Sequence, residues 1–205
     1  MTGLRERQKA DRTRRILQAA SSLFRERGYG AIRIEDIAHA AEVSVGTLYN
    51  YFTTKGDLLL AIVSMEVEEV LDAGEVHVSD PPPDVAQALT ALVGLYYDHS
   101  LFYLSKEMWR TAMAISIEAP DTPFSARYTE LDGRLARQVC DLIAQLQRRG
   151  YARADVDATV IGQLVFNNLN QMFIEYVKQD DMPVATLHSD LHRHNAILAE
   201  MLRPS

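Results

Sequence analysis

The segment Ile34–Phe52, IEDIAHAAEVSVGTLYNYF, places short polar and aromatic side chains on one face of a predicted short helix. Hydroxyl and amide groups exchange hydrogen bonds with the edges of bases, and hydroxyl and aromatic groups reach backbone phosphates. These residue types at helical spacing are therefore suited to reading double-stranded nucleic acid. The residues that this helix exposes are Val45, Gly46, Thr47, Tyr49 and Asn50.

Two short helices are needed to present that face. The pattern predicts a first helix over Ile34–Ala41 and a second one that follows Ser44, a suitable N-cap, and ends near Phe52. Ala38 is small enough to stand where the two helices touch. This arrangement predicts a helix-turn-helix, with an ordinary helical hairpin as the alternative. The apolar residues at anchoring positions are Ile37, Ala41, Val43, Leu48 and Tyr51.

Charge is distributed unevenly along the 205 residues, whose net charge is −7. From Met1 to Arg33 there are nine Lys or Arg against three Asp or Glu, whereas from Ala61 to Ser205 there are 11 against 21. A basic end on an acidic body is typical of a polyanion-binding head. A solvated charged tail is the alternative explanation of the same counts.

The remaining chain predicts an all-α fold of about nine helices, with no strand-like alternation. A linker is predicted over Gly74–Asp84, which contains three consecutive prolines. Asp155 is predicted to cap the penultimate helix. The predicted helices outside the helix-turn-helix are Asp11–Arg27, Lys55–Ala73, Val85–His99, Phe102–Glu118, Ser125–Arg149, Val156–Lys178 and Val184–Leu202.

Three stretches in fixed order resemble the tetracycline-repressor (TetR) family of bacterial regulators. They are RILQAASSLFRERGY (Arg15–Tyr29), the segment Ile34–Phe52, and TKGDLL (Thr54–Leu59). The resemblance covers about a quarter of the chain. It implies an N-terminal three-helix DNA-binding bundle over residues 1–54. It also implies a larger helical domain over residues 55–205 that binds a small ligand and dimerises.

The resemblance also implies roles for single residues. Gly46 and Thr47 match positions that approach base edges, while Tyr49 and Lys55 match phosphate contacts. Ser44 and Tyr51 match further contact positions, although Tyr51 is equally explained by packing. The basic arm, residues 5–15, would lie near the DNA backbone or reach the minor groove.

Two residues depart from the family's pattern. Arg33 stands where the family often has a helix-capping threonine, and it is a candidate for a direct phosphate contact. Glu42 stands at a turn position where glycine is frequent. Either the turn avoids a left-handed backbone conformation, or it accepts one with strain.

Aromatic and methionine side chains cluster on the predicted middle helices. Such residues line adaptable apolar pockets, but they are also ordinary core residues, and both readings remain open. Asparagines interrupt the apolar run of the next helix, where an amide is able to orient a ligand. The candidate pocket residues are Tyr96, Phe102, Trp109, Met113, Phe166, Asn167 and Asn170.

The last two predicted helices are long, adjacent and apolar on more than one face. A helix of that kind needs a second partner, and a twofold mate is the expected one. A buried central helix in a monomer is the alternative. In the resembled family these helices form the dimer interface. The candidate interface residues are Phe173, Leu187, Leu191 and Leu198.

Several classes of function are not expected. The single cysteine, Cys140, rules out an internal disulfide and a cysteine-based zinc finger. His188 and His192 share a helix face, yet two histidines do not complete a zinc site. We find no phosphate loop, no Gly-x-Ser-x-Gly and no His-Glu-x-x-His, and therefore expect no enzymatic activity, cofactor or metal. Without an apolar run of about 18 residues, a soluble cytoplasmic protein with no membrane partner is expected.

The sequence thus predicts a transcriptional regulator, most simply a repressor. Its expected partners are palindromic operator DNA, a second copy of the chain, and a small-molecule effector that releases the DNA. An adaptor that carries the helix-turn-helix but binds no small ligand is one alternative. An all-helical enzyme is the other.

Overall fold

Helices fill the part of the chain that the structure describes. This computed structural model describes residues 2–204, apart from the side chains of Thr2, Leu4 and Arg5. Within that range the all-α prediction is confirmed, with nine helices and no strand. Their bounds are α1 Thr2–Arg27, α2 Ile34–Ala40, α3 Val45–Tyr49, α4 Lys55–Ser79, α5 Val85–Ser100, α6 Lys106–Glu118, α7 Pro123–Arg148, α8 Ala158–Val177 and α9 Val184–Met201.

Local chemistry marks the ends of these helices. Gly28 follows α1 with φ 82° and Gly150 follows α7 with φ 73°, a left-handed conformation that glycine adopts without strain. At the start of α5 the Asp84 carboxylate accepts the Gln87 N–H at 2.7 Å. Such side-chain acceptors satisfy backbone N–H groups that the first turn leaves without helical partners.

The sequence placed some of these ends incorrectly. α1 begins at Thr2, nine residues before its predicted start, and α4 continues through Gly74 to Ser79, into the predicted linker. The N-cap of α8 is Asp157, whose carboxylate accepts the Thr159 N–H at 2.8 Å. The predicted cap, Asp155, instead pairs with Arg153. Two aspartates spaced by two residues give the same capping signal, and only the backbone path selects between them.

Packing divides the chain into two units. The first consists of the chain up to Glu66 together with Tyr103–Tyr128, and the second of Val67–Phe102 with the chain from Thr129 onward. α6 therefore belongs to the same unit as α1 and the start of α4. The Ser21 hydroxyl donates to the Tyr103 carbonyl at 2.6 Å. The predicted boundary between a DNA-binding domain and a ligand-binding domain, between residues 54 and 55, stays a prediction. The two packing units have a different boundary, which lies within α4 after Glu66.

The second unit contains a buried polar junction that the sequence did not indicate. The Gln138 amide on α7 donates to the Leu71 carbonyl and to the Glu75 carboxylate, both at 2.8 Å. Its oxygen accepts the Tyr96 hydroxyl at 2.7 Å. Burial, and secondarily the charge of Glu75, raises the pKa of Tyr96, so this hydroxyl stays protonated and donates. One amide thus ties α4, α5 and α7 together.

No helix between residues 2 and 204 is long and apolar enough to cross a membrane.

Candidate nucleic-acid interface

The helix-turn-helix is built around small and apolar contacts between α2 and α3. Ile37, Ala38 and Ala41 are buried on the α2 side, and Leu48 is buried in α3. Because α3 has only five residues, its stability comes from these anchors and from its cap rather than from its own length. The anchoring pattern predicted from the sequence corresponds to this packing.

The turn between α2 and α3 closes with two characteristic hydrogen bonds. The Val43 N–H donates to the Ala38 carbonyl at 2.9 Å, and the Glu42 N–H donates to the His39 carbonyl at 3.1 Å. This is the Schellman arrangement, which requires a left-handed residue directly after the helix. Glu42 has φ 54°, so it occupies that position without being glycine. Of the two possibilities open for Glu42, the structure shows the strained one.

Replacing Glu42 with glycine should stabilise the protein. A left-handed residue with a Cβ costs about 1–2 kcal/mol, and the entropy that glycine adds to the unfolded chain offsets part of the gain. We expect the free energy of unfolding to rise by about 1 kcal/mol, measured by urea denaturation followed by circular dichroism. The control is Ala40→Gly on exposed α2, which should lower it by about 1 kcal/mol. An unchanged or lower stability in Glu42→Gly would contradict the strain.

The outer face of α3 is open and polar. The Ser44 hydroxyl accepts the Thr47 N–H at 3.1 Å and lies 2.8 Å from the Thr47 hydroxyl. Both predicted contact residues are thereby held in one orientation at the start of the helix. Gly46 and Asn50 are exposed, and Tyr49 is 49% exposed. The face therefore presents donors, acceptors and one aromatic ring to solvent, beside the half-buried Val45 and Tyr51.

Arg33 precedes α2 and supplies only half of a capping box. Its backbone N–H donates to the Asp36 carboxylate at 3.0 Å. The reciprocal bond, from the Asp36 N–H to a side chain at position 33, needs an acceptor, and a guanidinium has none. The exposed Arg33 side chain is consequently available for an anionic partner.

Arg33→Thr should add a helix cap and remove a positive charge that is available to DNA. The threonine hydroxyl would accept the Asp36 N–H and raise the free energy of unfolding by about 1 kcal/mol. If Arg33 contacts a phosphate, the salt-dependence slope of DNA binding should fall by about 0.9. Thermal denaturation and binding titrations at several salt concentrations check the two effects. Arg33→Ala is the matched control, because it should lower the slope without the gain in stability.

Lys55, predicted to contact phosphate, points into its own chain. Its ammonium donates to the carbonyl oxygens of Tyr29 at 2.7 Å, Ile32 at 3.1 Å and Gly30 at 3.4 Å. It also lies 4.4 Å from the centre of the Tyr29 ring. The phosphate contact stays a prediction, and this geometry favours a different role.

The basic arm continues α1 as a helix. Arg7, Lys9, Arg12, Arg14 and Arg15 are exposed, whereas the side chain of Arg5 lies outside the described part of the chain. The Lys9 ammonium lies 6.0 Å from the centre of the Tyr51 ring, close to the end of α3. The arm therefore adds positive charge beside the helix-turn-helix.

The candidate pocket residues do not share one environment. Tyr96, Trp109 and Phe166 are buried, whereas Met113 and Asn170 are half-buried. Trp109 and Met113 belong to the first unit and the others to the second. A pocket lined by the buried members stays a prediction.

The other two pocket candidates, Phe102 and Asn167, are exposed. Phe102 is 60% exposed, because it lies in the turn after α5, and Asn167 is exposed on the outer face of α8. Their place in a ligand pocket stays a prediction. An aromatic or amide residue type alone does not predict whether the side chain faces the interior or the solvent.

The interface candidates lie mainly inside their own chain, and their role in a dimer interface stays a prediction. Phe173, Leu187 and Leu191 are buried within their own chain, and Leu198 is half-buried. α9 packs against α5 and α8, and Leu187 and Leu191 are core residues. The exposed apolar residues of these helices are Val160 and Leu164 on α8, which belong to the apolar run predicted to have more than one face, and Ile197 and Met201 on α9.

The histidines of α9 are engaged separately. The His188 ring nitrogen Nε2 lies 2.7 Å from an Asp98 carboxylate oxygen, and His192 is exposed. Within residues 2–204, no three His, Cys, Asp or Glu side chains are grouped to hold a metal ion. His188 thus joins α9 to α5.

The sequence similarity to known proteins is clearest in the N-terminal part of the chain. Residues 16–62 match the family model described as bacterial regulatory proteins, tetR family. The transcriptional repressor KstR of Rhodococcus jostii is 38% identical over 65 residues, which are 32% of this chain and 31% of KstR. The regulator TcmR of Streptomyces glaucescens is 31% identical over 140 residues, 66% of this chain and 62% of TcmR. The matches therefore span less than two thirds of these relatives.

Solved structures share the fold over nearly the whole chain. A transcriptional regulator from Mesorhizobium loti assigned to the TetR family superposes with a TM-score of 0.70 at 21% identity, covering 94% of this chain and 95% of that one. FadR of Thermus thermophilus, a TetR-family repressor in complex with lauroyl-CoA, gives 0.65 at 21% identity, covering 91% and 92%. At these identities the likeness establishes the fold.

Proposed function

Because the chain belongs to the TetR family of bacterial regulatory proteins, we propose that it is a ligand-responsive transcriptional regulator that binds a palindromic operator as a homodimer. The observation that carries the proposal is the exposed face of α3, held by the Ser44 cap and the Glu42 turn, beside a basic helix. The most direct outcome of operator binding is repression of a neighbouring gene.

The proposed DNA contacts follow from exposure and charge. The start of α3 enters the major groove, where Gly46, Thr47 and Asn50 approach base edges. Tyr49 and Arg33 contact the backbone. Ser44, Val45 and Tyr51 complete the contact surface, and the basic arm adds sequence-independent attraction.

The proposed dimer uses the exposed apolar face of α8 and α9. We define this dimer face as Val160, Leu164, Ile197 and Met201. Each pair is spaced by four residues on its helix, so each lies on one side of that helix. The Asn168 amide lies 3.1 Å from the His194 ring and links the two helices. A second copy that covers this face would bury apolar surface and leave two recognition helices to bind one operator.

The proposed effector binds within the second unit. That unit carries eight Lys or Arg against 17 Asp or Glu, a net charge of −9 that keeps operator DNA away from it. α4 contributes residues to both units, so a ligand that shifts α4 is able to lower operator affinity by a population shift. Since a structural neighbour was solved with lauroyl-CoA, acyl-CoA compounds are the first probes.

Selection of binding sites from a random duplex library tests the proposal. We expect an inverted repeat to be enriched, and light scattering to report two protomers for each bound duplex. Failure to enrich any sequence at low salt would refute the regulator. If protein saturated with a bound probe held the selected duplex as tightly as free protein, the effector coupling would be wrong while DNA recognition would stand.

A further inference from the structure

The ammonium of Lys55, the first residue of α4, reaches back to the loop between α1 and α2. It donates to the carbonyl oxygens of Tyr29, Gly30 and Ile32 at 2.7, 3.4 and 3.1 Å. These four residues are called the Lys55 clamp below. All of them belong to the first unit. The clamp joins parts of the chain that lie more than 20 residues apart.

The clamp uses the hydrogen-bonding capacity of the ammonium. A lysine side chain has three N–H donors, and three carbonyl oxygens surround this one. The Tyr29 ring also lies 4.4 Å from the ammonium and attracts its charge through the ring face. The Tyr29 ring is itself held edge-on by Phe24, with ring centres 5.0 Å apart. Burial, and secondarily the charge of Asp57, raises the pKa of Tyr29 and keeps it neutral.

A phosphate would have to compete with this enclosure. Turning the Lys55 ammonium towards DNA would remove donors from the Tyr29 and Ile32 carbonyls, both of which accept in part-buried surroundings. A carbonyl left without a donor in such a place is costly. The start of α4 is meanwhile fixed by a reciprocal cap, in which the Asp57 carboxylate accepts the Thr54 N–H at 2.9 Å and the Thr54 hydroxyl accepts the Asp57 N–H at 3.0 Å.

We propose that Lys55 is a positioning residue that holds the α1–α2 loop against the start of α4. The loop ends at Arg33, directly before α2, so the clamp sets the approach of α2 and thereby the orientation of α3. Lys55 contributes to operator affinity through this geometry and forms no ion pair with a phosphate. The inference rests on the proposed DNA binding for its affinity readouts, whereas its readouts on free protein are independent of that function.

Lys55→Met tests the clamp against Lys9→Met, the same substitution at an exposed lysine of the same unit. In free protein, Lys55→Met should lower Tm by roughly 4–8 °C and accelerate exchange of the hydrogen-bonded Gly28 and Arg33 amides, which flank the loop, at least about tenfold. Its affinity for the duplex selected by wild-type protein should fall by about ten- to a hundredfold, with an unchanged salt slope. Lys9→Met should keep Tm and, if Lys9 contacts a phosphate, lower the slope by about 0.9.

Lys55→Arg separates charge from shape. A planar guanidinium keeps the charge but does not match three converging carbonyls. We therefore expect it to retain the salt slope without restoring Tm or slow exchange. The proposal is overturned if Lys55→Met keeps Tm and loop exchange while its slope falls by about 0.9, or if Lys55→Arg restores wild-type affinity, Tm and exchange. If wild-type protein selects no duplex, the regulator fails, and Tm with loop exchange still decides the clamp.

Discussion

Replacing Leu164 with glutamate is expected to leave the chain folded but monomeric, and to lower operator affinity by at least about a hundredfold. Leu164 is 60% exposed on α8, so the substitution removes little packing within the chain. In a dimer that buries this face, the new carboxylate would lose its water without gaining a partner, which is strongly unfavourable. The monomer would then lose the second recognition helix, and joined binding sites typically exceed single ones by about 10²–10⁴ in affinity.

Two comparisons make this result specific to the dimer face. Val76→Glu introduces the same charge at an equally exposed apolar residue on α4, outside α8 and α9, and should remain dimeric. Met201→Glu, on the α9 side of the face, should behave like Leu164→Glu. Light scattering of the eluted protein gives the mass, and fluorescence anisotropy gives the affinity. A Leu164→Glu protein that stays dimeric at micromolar concentration would show that this face is not the interface.

The residues of the dimer face show what helical periodicity does not predict. Helical periodicity identified α9 and its leucine stripe, and the structure contains both. Leu187 and Leu191 nevertheless face the protein's own core, while the scattered residues Ile197 and Met201 face outward. A periodic stripe predicts that a helix has an apolar partner, but it does not distinguish a partner in the same chain from one in a second copy.

The helix-turn-helix was predictable because its determinants are local. The Ser44 cap, the small Ala38 and the buried Leu48 lie within a dozen residues, so type and spacing are sufficient. The membership of α6 in the first unit and the inward direction of Lys55 were not predictable in the same way. The segment that contains α6 joins the first unit through contacts such as Ser21 with Tyr103, just before α6 and 82 residues away from Ser21. The lysine's partners are backbone carbonyls, which carry no signature in the sequence.

Gly46→Ala is expected to separate DNA recognition from folding. A Cβ at this position would meet no protein atom within 4 Å, and the backbone is not in the left-handed region. Alanine is also favoured over glycine inside a helix by about 1 kcal/mol. Stability should therefore stay the same or rise by up to about 1 kcal/mol. Nothing in the part of the chain that the structure describes accounts for a glycine at position 46.

A partner outside the chain does account for it. If the start of α3 lies against base edges in the major groove, a methyl group on Gly46 would occupy space that the DNA needs. We expect the affinity for the selected operator to fall by about ten- to a hundredfold in anisotropy titrations, and further in Gly46→Val. Gly133→Ala is the matched control, since its Cβ would meet only the Arg137 guanidinium at an ordinary 3.7 Å, on α7. Unchanged affinity in Gly46→Ala would mean that α3 approaches DNA by another face, so that the side of α3 carrying Tyr49 would have to read the operator.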